Sequence, residues 1–346
     1  ESTLVEMWEA LLPVEQVGVT DDFFDIGGHS LIGVRLMARV SQEFSVSLQI
    51  VELLKAPTIE QLCETIKHSG GDTEWTPLVV LRKAKDSTNK ESTDIDGEVT
   101  PVFFIHPIGG DVLCYTDIAA NLPSNIPAYG LQARGFIQGA EVFTSFEEMI
   151  DCYVDAIQQK HPEGAYRIGA QSLGGIIALH VAKKLKALGR CVERIMMFDT
   201  FTPLAMVADQ LSNVQVIESA IGQPLPKNVR HLAESGDDQW LEMLYKTAKA
   251  ARMLPDDLTL EQIQSIYNVA ITNHRLVSQA ELDDEGMYAD YCIDHYAASD
   301  RVSGESSQTG WKAKGYQLNY IDAPGDHESM IRGRHAVSLA KIITDS

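Results

Sequence analysis

The chain has 346 residues, of which 45% are hydrophobic, and this length and composition predict a sizeable core and more than one domain. Its formal net charge of −21 argues against nucleic acids and anionic membrane surfaces as partners. The five cysteines are scattered, without a CxxC pair or zinc-ligand spacing, so we expect reduced thiols in a cytoplasmic protein and no metal site. No apolar run has the length of a membrane span, and the start at Glu1 without methionine suggests a C-terminal fragment of a longer protein.

The first 68 residues predict a small helical domain. Apolar positions recur at helical spacing in several segments, and Ser2 and Thr58 precede two of them as candidate N-caps. A glycine-containing polar stretch at residues 69–76 follows and is typical of a linker. The predicted helices are residues 4–12, 30–44, 50–54 and 58–67.

From residue 77 onward the pattern changes to alternating strands and helices. This order predicts a mostly parallel sheet that is covered by helices on both faces. Polar residues between the first two strands predict a hairpin loop, and the helix-rich residues 203–257 predict an insertion into the α/β core. The predicted strands are residues 77–81, 101–107, 128–132, 166–170, 194–199, 287–293 and 316–322, with helices at 145–160 and 175–188.

The segment YRIGAQSLGG predicts a nucleophile elbow. A short apolar strand ends at Ala170 and a helix begins near Gly174, so Ser172 lies at the tip of a tight turn. The residues two positions before and after the serine must be small, because the strand and the helix approach closely there. Alanine at position 170 replaces the usual glycine and is small enough to fit. As an alternative without catalysis, Ser172 only caps the helix.

Two residues farther along the chain complete the order serine, acid, histidine. Asp199 ends the strand RIMMFD, and His327 follows the last predicted strand. Both lie at carboxyl ends of strands, where open α/β sheets build their sites. Asp322 and Asp326 compete for the role of the acid, although Asp326 adjoins the histidine and is poorly placed to orient it. Other histidines, which we expect to be structural, are His106, His180, His274 and His295.

An oxyanion hole needs two backbone N–H groups beside the serine. We expect one from Leu173, which heads the helix after the turn. The other is expected from Ile108, in the loop after the strand VFFI, where two glycines follow it. His106 in the same loop is expected to shape the loop rather than to act as the base.

The segment DDFFDIGGHSLIG resembles the carrier-protein signature of nonribosomal peptide synthetases. The resemblance covers residues 1–67 and implies that 4′-phosphopantetheine is attached covalently to Ser30. Acyl carriers of fatty-acid and polyketide systems more often have aspartate where this chain has His29, which favours a peptidyl carrier. A phosphodiester at Ser30 would lie at a helix N-terminus, where backbone N–H groups and the helix dipole favour an anion. Gly27 and Gly28 would leave the approach open for a modifying enzyme, whereas the alternative makes Ser30 a plain N-cap.

Residues from about 77 to 343 resemble the type I thioesterase, an α/β-hydrolase with a helical lid, that ends such synthetases. The motifs that carry the resemblance are PVFFIHPIGGDVLCY, YGLQARG, GAYRIGAQSLGG, FDTFTP and PGDHESM, with Ala170 for glycine and Gln171 in a variable position as departures. The resemblance implies a catalytic triad of Ser172, Asp199 and His327. The implied domains are a peptidyl carrier at residues 1–68, a linker at 69–76 and the thioesterase at 77–346, with the lid at about 203–257.

Together the two resemblances imply a chain-terminating carrier–thioesterase didomain. A peptidyl thioester on the phosphopantetheine would pass to Ser172 as an ester and leave by hydrolysis or macrocyclisation. The implied partners are upstream synthetase domains, a phosphopantetheinyl transferase and an intramolecular contact of the carrier with the thioesterase. Alternative functions are termination of a polyketide or mixed chain, or a catalytically inactive gating or editing module. A free-standing lipase or esterase would not need residues 1–67.

Overall fold

A computed structural model describes the chain as two compact units. The described residues of 1–76 and 223–266 form the first unit, and those of 77–135, 141–222 and 267–346 form the second. Among the described helices, none is both long and apolar enough to cross a membrane. The structure describes residues 1–28, 30–46, 48, 51–68, 75–84, 99–135, 141–202, 212–221, 225, 230–232, 239–250, 258–280, 291–300, 307–313 and 318–345.

Helices fill the start of the first unit, as the apolar spacing predicts. Thr58 caps the last of them, because its hydroxyl oxygen accepts a hydrogen bond from the Gln61 N–H at 3.3 Å. Ser2 is not the cap that we predict, because the Glu1 carbonyl already accepts the first helical hydrogen bond, from the Val5 N–H. The helices are α1 (Ser2–Leu11), α2 (Ser30–Phe44), α3 (Glu52–Lys55) and α4 (Ile59–His68).

An aromatic pair lies in the core of this helical domain. Trp8 and Phe23 are fully buried, and their ring centroids lie 5.2 Å apart in an edge-to-face arrangement. The Phe23 N–H donates to the Pro57 carbonyl at 2.8 Å. The long loop between α1 and α2 is therefore held against the segment that leads into α4.

A twisted α/β sheet forms the centre of the second unit. In the described part of the chain it has seven strands in the order β1-β3-β2-β4-β5-β6-β7, and only the β1–β3 pair is antiparallel. The mostly parallel sheet that the alternating pattern predicts is therefore confirmed. The strands are β1 (Leu78–Arg82), β2 (Val102–Ile105), β3 (Ala128–Leu131), β4 (Ala165–Gln171), β5 (Cys191–Phe198), β6 (Ile293–Ala298) and β7 (Asn319–Ala323).

The predicted hairpin between the first two strands is wrong. β1 pairs with β3, and β2 lies between β3 and β4 with all four of its residues buried. A continuously apolar strand such as VFFI needs neighbours on both sides and cover on both faces. The half-exposed β1 suits the edge of the sheet instead. Residues 85–98 of the predicted loop lie outside the described residues.

The strand predicted at residues 287–293 is displaced, because β6 spans Ile293–Ala298. The first four predicted residues lie outside the described residues. All six residues of β6 are buried, although its sequence IDHYAA contains an aspartate and a histidine. Asp294 forms an ion pair with an arginine of β5, and His295 Nε2 is hydrogen-bonded to the Thr200 carbonyl at 2.8 Å. These partners compensate for the burial of the two polar side chains. A prediction from apolar residues alone therefore places the strand too early in the chain.

Helices cover the sheet and occupy the described part of the predicted insertion. Within residues 203–257 the structure describes α8 and α9, and this part is helical as predicted. The long helix α10, directly after the insertion, was not predicted. The described helices after residue 77 are α5 (Thr116–Asn121), α6 (Phe146–Lys160), α7 (Gly174–Ala187), α8 (Asn213–Ile221), α9 (Trp240–Ala250), α10 (Leu260–Ser278), α11 (Ser307–Ala313) and α12 (Gly333–Asp345), of which α9 and the first part of α10 belong to the first unit.

Candidate active site

Ser172 lies in the turn between β4 and α7. Its φ of 54° falls in the left-handed region, which is strained for a residue with a side chain. Its N–H donates to the Phe198 carbonyl at 2.9 Å, which continues the pairing of β4 with β5 for one residue beyond the strand. The backbone therefore turns sharply at the serine itself, which is the geometry that the sequence predicts for an elbow.

Close packing around the elbow explains its glycines. A Cβ at Gly174 would lie 2.5 Å from the His106 carbonyl oxygen, and a Cβ at Gly175 would lie 2.1 Å from Thr200 Oγ1. The helix thus begins directly against the loop after β2 and the segment after β5. Ala170 is completely buried, so its methyl group is accommodated on the other side of the serine.

A hydrogen bond joins Asp199 and His327, which follow β5 and β7. Asp199 Oδ2 lies 2.7 Å from His327 Nδ1. An ionised carboxylate oxygen can only accept, so Nδ1 carries the proton and Nε2 is the atom left to act as a base. Among the described residues, Ser172 Oγ makes no hydrogen bond to this ring. Such nucleophile–base contacts are often long without substrate and tighten in the complex.

Asp199 is held rigidly by its surroundings. Its second oxygen, Oδ1, accepts hydrogen bonds from the Ser307 hydroxyl at 2.6 Å and from the Ala298 N–H at 3.1 Å. Its own backbone has a φ of 48°, a second strained position in the site. Sequence reasoning missed Ser307, which is 108 positions from the aspartate and belongs to no recognisable motif.

The competing carboxylates have other environments. Asp326 Oδ1 accepts from the N–H groups of Glu328 at 3.1 Å and Ser329 at 2.8 Å, so it organises the turn that carries His327. Asp322 is an exposed residue of β7. Within the described part of the chain, Asp199 is the carboxylate that is hydrogen-bonded to the imidazole.

Burial and pairing act in opposite directions on both groups. Burial lowers the pKa of His327, but the hydrogen bond and charge of Asp199, with smaller effects of Glu328 and Asp326, raise this pKa above its ordinary value. Burial raises the pKa of Asp199, whereas His327, the Ser307 hydroxyl and a backbone N–H lower it below its ordinary value. The aspartate is therefore ionised at neutral pH and stabilises a proton on the ring.

His106 shapes the loop after β2, as expected. It is fully buried, with Nδ1 donating to the Pro107 carbonyl at 2.7 Å and Nε2 accepting from the Tyr153 hydroxyl at 2.6 Å. Burial lowers its pKa to about 4, against a smaller opposite effect of the Pro107 carbonyl. The ring is thus neutral at physiological pH and serves as a fixed hydrogen-bonding bridge.

Two buried residues near the elbow have a backbone N–H group without a hydrogen-bond acceptor among the described residues. Leu173, at the N-cap of α7, is 3% exposed, and Ile108 is 7% exposed. Neither N–H donates a hydrogen bond in the part of the chain that the structure describes. Buried N–H groups without an acceptor are rare, so these are candidate donors to a transient oxyanion.

The start of α2 fits an attached phosphodiester. Ser30 is the first residue of this 15-residue helix, and its first turn contains no acidic residue that would compete for the helix N-terminus. Gly28 is explained by packing rather than by the access that we predict, because a Cβ would lie 2.4 Å from the Phe23 ring. Gly27 has a φ of 102°, which favours glycine. His29 lies outside the described residues.

A parallel sheet with a strained serine at one strand end and an aspartate–histidine pair at two others defines the α/β-hydrolase class. The chain belongs to the thioesterase family, because the thioesterase domain matches residues 100–345. The phosphopantetheine attachment site matches residues 2–66, so the N-terminal helical domain is a carrier domain. The predicted carrier followed by an α/β-hydrolase thioesterase is therefore confirmed.

Known relatives of the chain are longer synthetases. The inactive atromentin synthetase invA4 of Paxillus involutus is 26% identical over 99% of this chain, which spans 36% of that protein. The dimodular nonribosomal peptide synthase of Bacillus subtilis is 33% identical over 58% of this chain and 8% of its own length. The chain thus spans little more than a third of the first relative and far less of the second.

Two solved structures are similar to all or part of this chain. The four-domain nonribosomal peptide synthetase holo-AB3403 matches 99% of this chain and 25% of its own with a TM-score of 0.67 and 27% identity. The Vlm2 thioesterase domain bound with a dodecadepsipeptide matches 78% of this chain and 97% of its own with a TM-score of 0.56. At 22% identity, this second match supports the α/β-hydrolase fold alone.

Proposed function

We propose that this chain is the carrier and chain-terminating thioesterase part of a synthetase, with Ser172 as the residue that accepts the acyl group. The observation that carries the proposal is the 2.7 Å hydrogen bond between His327 Nδ1 and Asp199 Oδ2, on the sheet that also presents the strained serine. The chain order of the three residues is that of α/β-hydrolases.

The residues of the site divide the chemistry among them. His327 Nε2 takes the proton of Ser172 Oγ while this oxygen attacks the thioester carbonyl. The N–H groups of Leu173 and Ile108 stabilise the negative charge that develops on the carbonyl oxygen. His327 then returns the proton to the departing sulfur, the C–S bond breaks, and the acyl group remains on the serine as an ester. Asp199 holds Nδ1 and stabilises the protonated ring.

Release of the acyl group repeats the same chemistry with another nucleophile. Water gives hydrolysis, whereas a hydroxyl or amine within the acyl chain gives macrocyclisation. His327 again removes the proton from the attacking group and donates it to Ser172 Oγ. The segment at residues 203–257, which the resemblance implies is a lid, would bias the choice by excluding water.

Ser30 is the proposed attachment residue on the carrier domain. A phosphopantetheinyl transferase would modify it, and upstream synthetase domains would load it. When bound, 4′-phosphopantetheine supplies the thioester by which the acyl chain is delivered. The position of Ser30 at the start of α2 supports the assignment, since the helix dipole stabilises a phosphate there. The histidine at position 29 and the nonribosomal peptide synthetase relatives favour a peptidyl acyl group.

The second candidate is a module that binds acyl carriers without catalysis. Two relatives are named inactive atromentin synthetases, which favours this candidate. The hydrogen-bonded aspartate–histidine pair opposes it, because a site without catalysis has no need of an oriented base and a strained serine at the ends of strands in one sheet. A polyketide or mixed terminator would use the same residues, and the mass of its released product would identify it.

A fluorophosphonate probe separates the catalytic candidate from the inactive one. The wild-type chain should gain one covalent adduct at Ser172, because only an activated serine reacts rapidly. Ser172→Ala should gain none, whereas Ser338→Ala, which removes an exposed serine of α12, should be labelled at the wild-type rate. An unlabelled wild-type chain, or an adduct on another serine, would contradict the proposal.

A further inference from the structure

The residue before the candidate nucleophile is fixed at its backbone. Gln171 is the last residue of β4 and is 3% exposed. Its N–H donates to the Tyr115 hydroxyl at 2.9 Å, and that hydroxyl donates to the Ile105 carbonyl at 2.7 Å. The Tyr115 ring is fully buried and stacks on Phe104, with centroids 4.9 Å apart. The position from which the Gln171 side chain extends is therefore rigid.

The side chain of Gln171 reaches the backbone of the candidate base. Its Nε2 donates a hydrogen bond to the His327 carbonyl oxygen, across 156 positions of sequence. Because Gln171 adjoins Ser172 in the chain, a single side chain connects the elbow to the segment that carries the imidazole. The strand that presents the nucleophile and the turn that presents the base are thus directly linked.

Most of the other hydrogen bonds described for this turn are local, although one backbone N–H of the segment after β6 also donates to a carbonyl of the turn. Asp326 Oδ1 accepts from two following N–H groups, and the Asp326 N–H donates to Ser329 Oγ at 3.0 Å. These contacts define the shape of the turn but not its distance from β4. Asp199 holds the ring of His327 at the side-chain end. The contact with Gln171 holds the same residue at its backbone end, on the side of the nucleophile.

We propose that Gln171 is a positioning residue, whose amide holds the His327 backbone so that the imidazole lies between Ser172 and Asp199. This inference rests on the proposed function, in which His327 is the base. A carbonyl oxygen needs a donor, so the amide of glutamine is suitable, whereas a carboxylate or a thioether is not. The elbow pattern leaves the identity of residue 171 open, and this contact gives a physical reason for glutamine there.

The test measures turnover of a small acyl-pantetheine thioester by the full chain. Gln171→Met keeps the approximate length and removes the donor, and Gln171→Glu keeps the carbon skeleton and replaces the donor by an acceptor. Both should lower kcat by roughly tenfold to a hundredfold with KM nearly unchanged, as expected of a displaced base. In Gln171→Met, which adds no charge, the midpoint of the rise of kcat/KM with pH should also move to lower pH, because a ring farther from Asp199 binds its proton less tightly.

Gln308→Met is the matched control. Gln308 is also buried, and its Nε2 donates to the Ile321 carbonyl at 3.4 Å rather than to His327. Its loss should lower the melting temperature without moving the pH midpoint. The inference is overturned if Gln171→Met keeps the wild-type kcat and midpoint. If that variant does not fold, Gln171→Glu decides by kcat, and a wild-type kcat in this variant overturns the inference.

Failure of the proposed function gives a different result. An active Ser172→Ala variant, or a wild-type chain without turnover and without fluorophosphonate labelling, would remove the basis of both proposals. A labelled wild-type chain, an inactive Ser172→Ala variant and a fully active Gln171→Met variant would instead reject the positioning role alone.

Discussion

The surroundings of His327 favour its protonated imidazole, which cannot act as a base. Burial lowers its pKa, but the hydrogen bond and charge of Asp199 raise it above its ordinary value of about 6.5. The stabilisation from the protonated ring is therefore complete below about pH 6.5 and is lost as the pH rises through the pKa of the folded state. The unprotonated ring is the base, so the proposed activity rises as this stabilisation is lost.

Replacing each carboxylate in turn distinguishes Asp199 from Asp322 as the acid of the site. Asp199→Asn should lower kcat/KM by roughly 10³- to 10⁴-fold, because an amide does not stabilise the protonated ring and permits the wrong tautomer. Wild-type kcat/KM should rise with pH to a midpoint above about 6.5, measured with a small acyl thioester. Asp322→Asn, which changes the exposed carboxylate of β7, should retain wild-type activity. A larger loss in Asp322→Asn would show that the acid is wrongly assigned.

The sequence predicts residues at the site when chain order and strand ends define them. Ser172, Asp199 and His327 follow from the strand-to-helix turn and from two further strand ends. The contacts that hold them do not follow in the same way. Ser307 reaches the aspartate, and Gln171 reaches the histidine, over 108 and 156 positions. Such contacts depend on how the strands are ordered in space, which local patterns do not encode.

At the scale of secondary-structure elements, the elbow depends on the short distance between the first residue of α7 and the end of β2. The Gly174 position lies against the carbonyl oxygens of Ile105 and His106, at 3.0 and 2.5 Å from an added Cβ. These are backbone atoms of a buried strand and its following loop, so they have little freedom to move.

Gly174→Ala tests this close approach. The added methyl group should lower the free energy of unfolding by about 1–3 kcal/mol, because backbone must shift to admit it, and should also lower kcat. The control is Gly189→Ala, where an added Cβ meets nothing within 4 Å and only the positive φ of 75° is unfavourable. Urea unfolding of both variants measures the difference. A Gly174→Ala variant with the free energy of unfolding and the kcat of the wild type would contradict the packing argument.

The elements that the sequence mispredicts are those where tertiary contacts override local patterns. β6 is buried despite Asp294 and His295, because an arginine of β5 and a backbone carbonyl pair with them. β1 pairs with β3 because the apolar β2 occupies the more buried place between β3 and β4. By contrast, β4 and α7 were predicted closely, since apolar spacing and small residues define both.

At the scale of the whole molecule, the chain combines two serines with different environments. Ser30 begins a helix in the carrier domain, where the helix N-terminus would stabilise a phosphodiester. Ser172 occupies a strained turn in the thioesterase domain. We therefore propose that the same acyl group is held first through the cofactor on Ser30 and then directly on Ser172.

Mass analysis of an acyl-loaded carrier during a single turnover tests this transfer most directly. After treatment with an acyl-coenzyme A and a phosphopantetheinyl transferase, the wild-type chain should gain the acyl-phosphopantetheine mass, pass the acyl group to the Ser172 peptide and release it. Ser172→Ala should retain the acyl group on the carrier, and Ser30→Ala should gain no mass, whereas the control Ser41→Ala, on the same helix, should behave as wild type. Release from Ser172→Ala at the wild-type rate, or loading of Ser30→Ala, would contradict the account.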